Sequence, residues 1–426
     1  MKTQKKLFVV FLCVALVGTL FLGHSSGSAK TVVTVLRPGD QTKVQKWAIP
    51  CQEEFNKNNP DIEIKMEYMS WGDWITKYPT LMNTNTQPDI IFWWDNQLAD
   101  KTIVNKLVPL KTYLDKSVLS LYPKKILDIG TMKGKLVYLP QALDPAMIFY
   151  RKDIFQKAGL DPNNPPKTWD ELLNACMAID KKTGLPALGF QGKLGMNTLQ
   201  EFIALFYHQG TGKAWLDGKN KPLFNTAKAV KALTYLKQLA QYAQPGMEQY
   251  ARGDLRSLFA NGKIAMTIDS DWFIPDLQAK FGNDLEKSVI GIMLPPAGPA
   301  GKINWVGTNG WVLTNKNKAA AAGRVLSFLA SKEQVYLHHT AYGNSPLLGY
   351  EMTQPNYQYS FWNKFADALN NNKLFTMIGQ NSPIPKAYYV QLEEVWQQFL
   401  LGQIGAQDAL KLAEQRVKEI NANAGN

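Results

Sequence analysis

Hydrophobic and polar positions change period several times along the chain, and each change marks an element. Thr31 to Leu36 is a β-branched run that predicts a strand. The Arg37-Pro38-Gly39-Asp40 turn then leads into a helix reaching about Lys57, with Pro50 either kinking that helix or marking its start. Ile62, Ile64, Met66 and Tyr68 alternate with polar neighbours, the period of a second strand. Ser70 to Trp74 opens a loop and a helix, after which Pro88-Asp89 leads into the apolar strand Ile90-Ile91-Phe92-Trp93-Trp94. Strands and helices in this alternation predict an α/β fold with a parallel sheet covered by helices.

A second unit begins after Pro140 with strand Met147 to Tyr150 and a helix from Thr168, where Thr168-x-x-Glu171 forms a capping box. Helices are expected at Leu199 to His208 and Ala227 to Tyr242, and a strand at Lys263 to Asp269. Strand Val289 to Leu294, strand Trp311 to Thr314 and helix Ala319 to Ala330 read as a return to the first unit. The tail is helical, with Leu392, Val395, Trp396 and Phe399, then Leu410, Ala413, Val417 and Ile420, at a 3.6-residue period. Two α/β lobes, joined by a chain that crosses between them more than once, account for the order.

Ahead of these elements, Lys2, Lys5 and Lys6 precede the apolar run Leu7 to Leu22 and the small residues up to Ala29. This is the pattern of a secretory signal peptide spanning residues 1–29. A membrane anchor is the rival reading, but the run is short of the roughly 20 residues that cross a bilayer. Cys13 lies in the run without the small residues of a lipobox, so a soluble protein exported to a periplasm is expected.

Charge changes this picture little. The 47 Lys and Arg against 35 Asp and Glu give a formal +12, and removing three leader lysines leaves +9. The lysines are scattered singly beside acids and amides, so they read as solvated helix faces and no nucleic-acid partner is expected. Cys51 and Cys176 both fall on apolar helix stripes, which favours buried thiols over a disulfide.

Composition narrows the chemistry. The chain has 12 Trp, 17 Tyr and 19 Phe but only four His and three Cys. No glycine-rich nucleotide loop, His-Glu-x-x-His or Cys-x-x-Cys occurs, and no metal or cofactor is expected. In open α/β sheets ligands bind beyond the carboxyl ends of the strands. There the sequence places Trp71 and Trp74; Trp93, Trp94 and Asp95; Asp269, Asp271 and Trp272; and Trp305, Asn309 and Trp311 in a turn before a further strand. Aromatic faces beside carboxylates and amides suit a sugar, whose C–H faces stack on rings and whose hydroxyls need donors and acceptors. Stacking contacts at about 1 kcal/mol each and charged hydrogen bonds at about 2 kcal/mol reach micromolar affinity with a few of each. A glycosidase would need two carboxylates across the sugar, which Asp95, Asp144, Asp269 and Asp271 could supply, although nothing marks one as a proton donor.

Several segments also resemble one family. Gln87 to Trp94, Phe149 to Phe155 with Pro166 to Leu172, Phe259 to Met266, and the closing Gly402 to Ile420 helix are similar, in order and spacing, to the extracellular solute-binding proteins that include the maltose-binding protein. That resemblance implies a two-lobed periplasmic binding protein fold, type II-like, with residues 30–143 plus 290–345 in the N-terminal lobe and 144–289 plus 346–426 in the C-terminal lobe. It implies a monomer that is not an enzyme, binding a carbohydrate and serving the membrane permease subunits of an ABC transporter. Hinges fall near 139 to 145, 286 to 295 and 340 to 350. The site residues it implies, together with the strand-end reading, are Trp71, Trp93, Trp94, Asp95, Asp144, Asp269, Trp272, Asn309, Trp311 and Tyr389. Asn96 stands where maltose binders carry an Arg, which argues against maltose itself; the lysine surplus leaves acidic (uronic-acid) oligosaccharides as an alternative ligand class.

Overall fold

The computed structural model describes residues 30–39, 41–84, 86–94, 98, 101–195, 198–217, 221–375 and 385–424. Residues 1–29, where a signal peptide is expected, Asp95 and Asn96 lie outside the described residues, and so do the side chains of Trp71 and Tyr389.

Twelve strands are described. They are β1 (Thr31–Pro38), β2 (Ile62–Met69), β3 (Ile90–Trp94), β4 (Thr131–Met132), β5 (Lys135–Leu136), β6 (Leu139–Pro145), β7 (Met147–Arg151), β8 (Leu188–Gly189), β9 (Met266–Asp269), β10 (Ile290–Met293), β11 (Ile303–Leu313) and β12 (Lys373–Phe375). The first lobe's sheet runs β12-β11-β3-β1-β2, with β6 on the other edge of β11. β2 and β3 lie parallel to β1, as expected, while β11 runs antiparallel to β3 and β6. The second sheet, β10-β7-β9-β8, departs from expectation: of its pairs only β8 with β9 is parallel.

Both sheets are covered on two faces, so their strands carry few polar residues. On β3, Ile90 and Phe92 join a core with Trp47, Cys51 and Trp311, while Ile91 and Trp93 face Trp74, Tyr78 and Tyr138. On β7, Ile148 and Tyr150 meet the helices Thr198–Thr211, Ala227–Ala240 and Pro385–Leu401, and Met147 and Phe149 meet Phe259, Phe273 and Trp362. The helix Trp169–Thr183 starts where its cap requires, with Thr168 Oγ1 accepting from the Glu171 amide at 3.3 Å and Gly184 closing it at φ 66°. Pro50 sits inside the first helix, Gln41–Asn58, rather than at its start.

The chain crosses between lobes at three places. The first is the step from β6 to β7 at Ala146. The second lies between β10 and β11, because Ile290 to Met293 pair with β7 of the second sheet and Ala297 still bonds to Lys167. This moves the boundary expected at 290 to beyond Ala297, past the Pro295-Pro296 break. The third passes through Asn344 and Ser345, after the helix Lys332–Tyr342 of the first lobe. Beyond it the tail is shared: Leu348 and β12 belong with the first lobe, and Tyr357 to Phe365 and the last two helices with the second.

Candidate functional site

The strand ends converge where the lobes meet, and β11 is the floor of that junction. Residues 305–311, expected as a turn, are instead the middle of this eleven-residue strand. Its ladder with β6 slips between Asn309, opposite Ala142, and Gly310, opposite Pro140. A bulge of this kind bends a strand and re-aims its side chains. Gly310 is needed there, since a Cβ would lie 2.3 Å from the Leu139 carbonyl oxygen. Asn309 beside it stays partly exposed.

Asp144 faces Asn309 across this floor and is fully buried. Its Oδ2 accepts from Asn309 Nδ2 at 2.9 Å and its Oδ1 from Asn344 Nδ2 at 3.0 Å. Burial raises its carboxyl well above the usual range, and the neighbouring Asp271 adds to the rise. Burial raises the Asp271 carboxyl as well, but hydrogen bonds from Ser345, Ser270 and Asp144 oppose that rise, so Asp144 is the member of the pair whose charge is more strongly disfavoured; Asp271 accepts from the Trp272 amide at 2.9 Å, the Ser270 hydroxyl at 3.2 Å and the Ser345 amide at 2.5 Å. The end of β6, the middle of β11 and the third crossing thus meet at the Asp144–Asp271 pair, through Asp144, Asn309 and Asn344–Ser345, next to the strand end of β9. His339 stands behind them, with Nδ1 bonded to Glu351 at 2.6 Å and Nε2 to the Gln141 carbonyl at 2.6 Å. Burial opposes its charge, but Glu351 outweighs that and raises its pKa. Asp144 is consequently an interior hinge group rather than an exposed contact.

Trp272 lies at the second lobe's side of the junction and is partly exposed. Its Nε1 donates to Asp269 Oδ1 at 2.6 Å, and Asp269 is held by Arg256 through bonds of 2.7 and 2.9 Å. Asp269 is nearly buried, and its carboxyl is lowered against the effect of burial by Arg256. Its acceptors are turned to Trp272, Arg256 and the Ser270 amide, so it orients the ring. From the first lobe comes Trp94, also partly exposed, with its Nε1 3.8 Å from where a Cβ on Gly307 would sit. Trp94 and Trp272 both pack against the hydrophobic core of the second lobe, which includes Trp305.

The other expected tryptophans are elsewhere. Trp93 is fully buried against Trp74 and Tyr138. Trp311 is fully buried against Trp47 and Phe92, its Nε1 bonded to Gln141 at 3.1 Å. A ring with no accessible face cannot stack on a ligand, so the structure separates these two from the site and leaves Trp94, Trp272 and Asn309 in it. Sequence reasoning misses Asn344 and Ser345, which carry no motif, and the pair Glu201–Arg252 beside Trp272, whose members are 51 residues apart. Asp271 is visible at a strand end, but its role is not. Among the described residues no cluster of His, Cys, Asp or Glu could hold a metal.

Residues 39–336 match the bacterial extracellular solute-binding proteins. The chain belongs to that family. A binding protein of Brucella abortus (strain 2308) is 28% identical over 321 residues, 74% of this chain and 75% of that one. The sn-glycerol-3-phosphate-binding periplasmic protein UgpB of Escherichia coli (strain K12) is 25% identical over 430 residues, 92% of this chain and 94% of that one. Among solved structures, the cyclic alpha-maltosyl-1,6-maltose binding protein from Arthrobacter globiformis superposes with a TM-score of 0.76 at 23% identity, over 93% of this chain and all of that one. The sugar-binding protein MalE from Xanthomonas citri gives 0.77 at 22% identity, over 92% and 98%. These structures share the two-lobed fold of this solute-binding protein. Its relatives bind solutes and are not enzymes. No described helix is long and apolar enough to cross a membrane.

Proposed function

We propose that this solute-binding protein captures a neutral di- or oligosaccharide between its lobes and delivers it to the permease subunits of an ABC importer. It does so as a monomer in the periplasm, after loss of residues 1–29. The observation that carries this reading is the pair Trp94 and Trp272, one partly exposed ring from each lobe, with the partly exposed Asn309 paired across the sheet to Trp94. Two aromatic faces and an amide match the C–H faces and hydroxyls of a sugar.

Charge argues for a neutral ligand. Arg252 and Arg256, the cations beside Trp272, already pair with Glu201 and with Asp269 and Asp276. A phosphate or uronate would have to displace a carboxylate to gain them. UgpB and its glycerol phosphate stand for the opposing class.

Closure supplies the mechanism. Sugar favours the closed form only through interactions that it makes with both lobes at once, and the three crossings, at Ala146, between Ala297 and β11, and at Asn344–Ser345, are the hinge about which they rock. Calorimetry of the mature protein against maltotriose, cellobiose, xylobiose, mannobiose, a digalacturonate and sn-glycerol 3-phosphate, with chromatography of the recovered sugars, tests the reading. Micromolar binding of a neutral sugar, recovered intact, is expected. Binding confined to the two anionic compounds, or cleavage of a sugar, refutes it.

A further inference from the structure

Trp272 is held from two directions. Along its edge, Nε1 is fixed by Asp269 and through it by Arg256. Over its face lies the Arg252 guanidinium, 5.0 Å from the ring centre. Arg252 opens the helix Arg252–Ala260 and is tethered by an ion pair to Glu201, on the helix Thr198–Thr211. Side-chain exposures are only 19% for Arg252 and 11% for Glu201. An ion pair this far out of water is weak support for a fold, because apolar residues of like volume often serve as well. Its geometry offers a use: a guanidinium clamped by a carboxylate presses on one face of the ring that the ligand reading assigns to sugar stacking.

We propose that the Glu201–Arg252 pair positions the Trp272 platform and makes ligand affinity depend on pH. The inference rests on the ligand reading above. Burial, countered by Arg252 and reinforced by Asp269, pushes the Glu201 carboxyl up to about 7. The groups facing Glu201 from the neighbouring elements are Arg252 and Arg256 on their shared helix and Asp269 on β9; the last is held ionised by Arg256. Above pH 7 the Glu201 carboxylate grips Arg252. As pH falls through 7 it takes up a proton, the ion pair gives way to a weaker bond from the guanidinium to a neutral carboxyl, and Arg252 releases the ring. Affinity therefore drops on acidification.

The free protein gives the first test, independent of any ligand. In mature protein labelled with 5-fluorotryptophan, the fluorine resonance of Trp272, assigned with Trp272→Phe, is expected to titrate with a midpoint near 7 in the wild type and to stay flat in Glu201→Gln. No titration in the wild type, or the same titration in Glu201→Gln, overturns the proposal. The wild-type profile stands even where a variant fails to fold, and Arg252→Met serves as a second variant that should also flatten it. Calorimetry with the tightest-binding neutral sugar of the panel gives the second. Affinity is expected to fall about tenfold from pH 8 to 5.5 in the wild type and to be low and flat in Glu201→Gln. Trp272→Ala is expected to weaken binding at least about tenfold at every pH. Unchanged affinity in Trp272→Ala sinks the ligand reading itself, whereas loss there with identical pH profiles in wild type and Glu201→Gln sinks only the positioning role.

Discussion

The hinge proton can be located by comparing two isosteric substitutions, Asp144→Asn and Asp271→Asn. With the proton on Asp144, the side whose charge is more strongly disfavoured, its carboxyl donates to Asp271 while accepting from two amides, Asn309 and Asn344. An asparagine keeps the donor and one acceptor, and the partly exposed Asn309 can turn its own amide to suit. The loss is one neutral hydrogen bond, about 1 kcal/mol. Asp271 is the reverse case, an acceptor on both oxygens from Ser270, Trp272, Ser345 and Asp144. An asparagine there turns an NH2 group onto a buried amide donor and removes the charge from the remaining bonds, at about 3 kcal/mol or more. Urea unfolding at pH 7, followed by circular dichroism, should show a midpoint shift for Asp271→Asn about three times that for Asp144→Asn. Equal shifts, or the reverse order, would mean the proton sits on Asp271. The pH dependence adds a check with a fixed sign. Because folding raises the Asp144 carboxyl well above its ordinary 3.8, its stabilising contribution is complete below that pH and is lost as pH rises through the raised value. Asp144→Asn has no such loss, so the gap between it and the wild type should narrow as pH rises above 3.8.

Two further outcomes test the core. Asp89, at the start of β3, accepts from the Thr34 amide at 2.8 Å, from Asn315 at 2.7 Å and from Lys318 at 3.1 Å, so Asp89→Ala should lower stability by about 3 kcal/mol in urea. It lies at the end of β3 remote from Trp94, and sugar affinity of the folded variant should be unchanged by calorimetry. Cys51 and Cys176 are both buried free thiols; burial pushes Cys176 up to about 12 and also raises Cys51. Neither should react with a thiol reagent at pH 8 in the native protein, and the mature chain should release two equivalents in denaturant. Release of none would establish a disulfide.

Elements with a strong local period are legible in the sequence. Ile90–Trp94 and the cap at Thr168 fall where the pattern puts them, because alternation and capping are decided by near neighbours. Membership of a lobe is not legible in this way. Val289 to Leu294 looks like any buried strand, and only its pairing with Arg151 to Ile148 assigns it to the second sheet. The tryptophan excess misleads for a similar reason. Trp93 and Trp94 are adjacent, yet the two-residue period of β3 turns one into the core and the other toward the junction. Trp311 reads as a loop residue because the apolar run of β11 is interrupted by Gly307, Thr308 and Asn309, which a strand floor tolerates. The Asp144–Asp271 and Glu201–Arg252 pairs join residues 127 and 51 positions apart, and no local pattern encodes such a meeting.

The position of β11 also sets the order in which the molecule can be made. It bonds β3, β6 and β12, so the first sheet cannot close until residues 303–313 exist. Strands made from residue 31 onward wait for more than 200 residues of later chain to be synthesised. The second lobe waits in its turn for the helices Pro385–Leu401 and Ala406–Ala424, which complete its core. Long-range closures of this kind slow folding. The export proposed for this protein is served by that delay, since neither half can lock while the other is still being threaded.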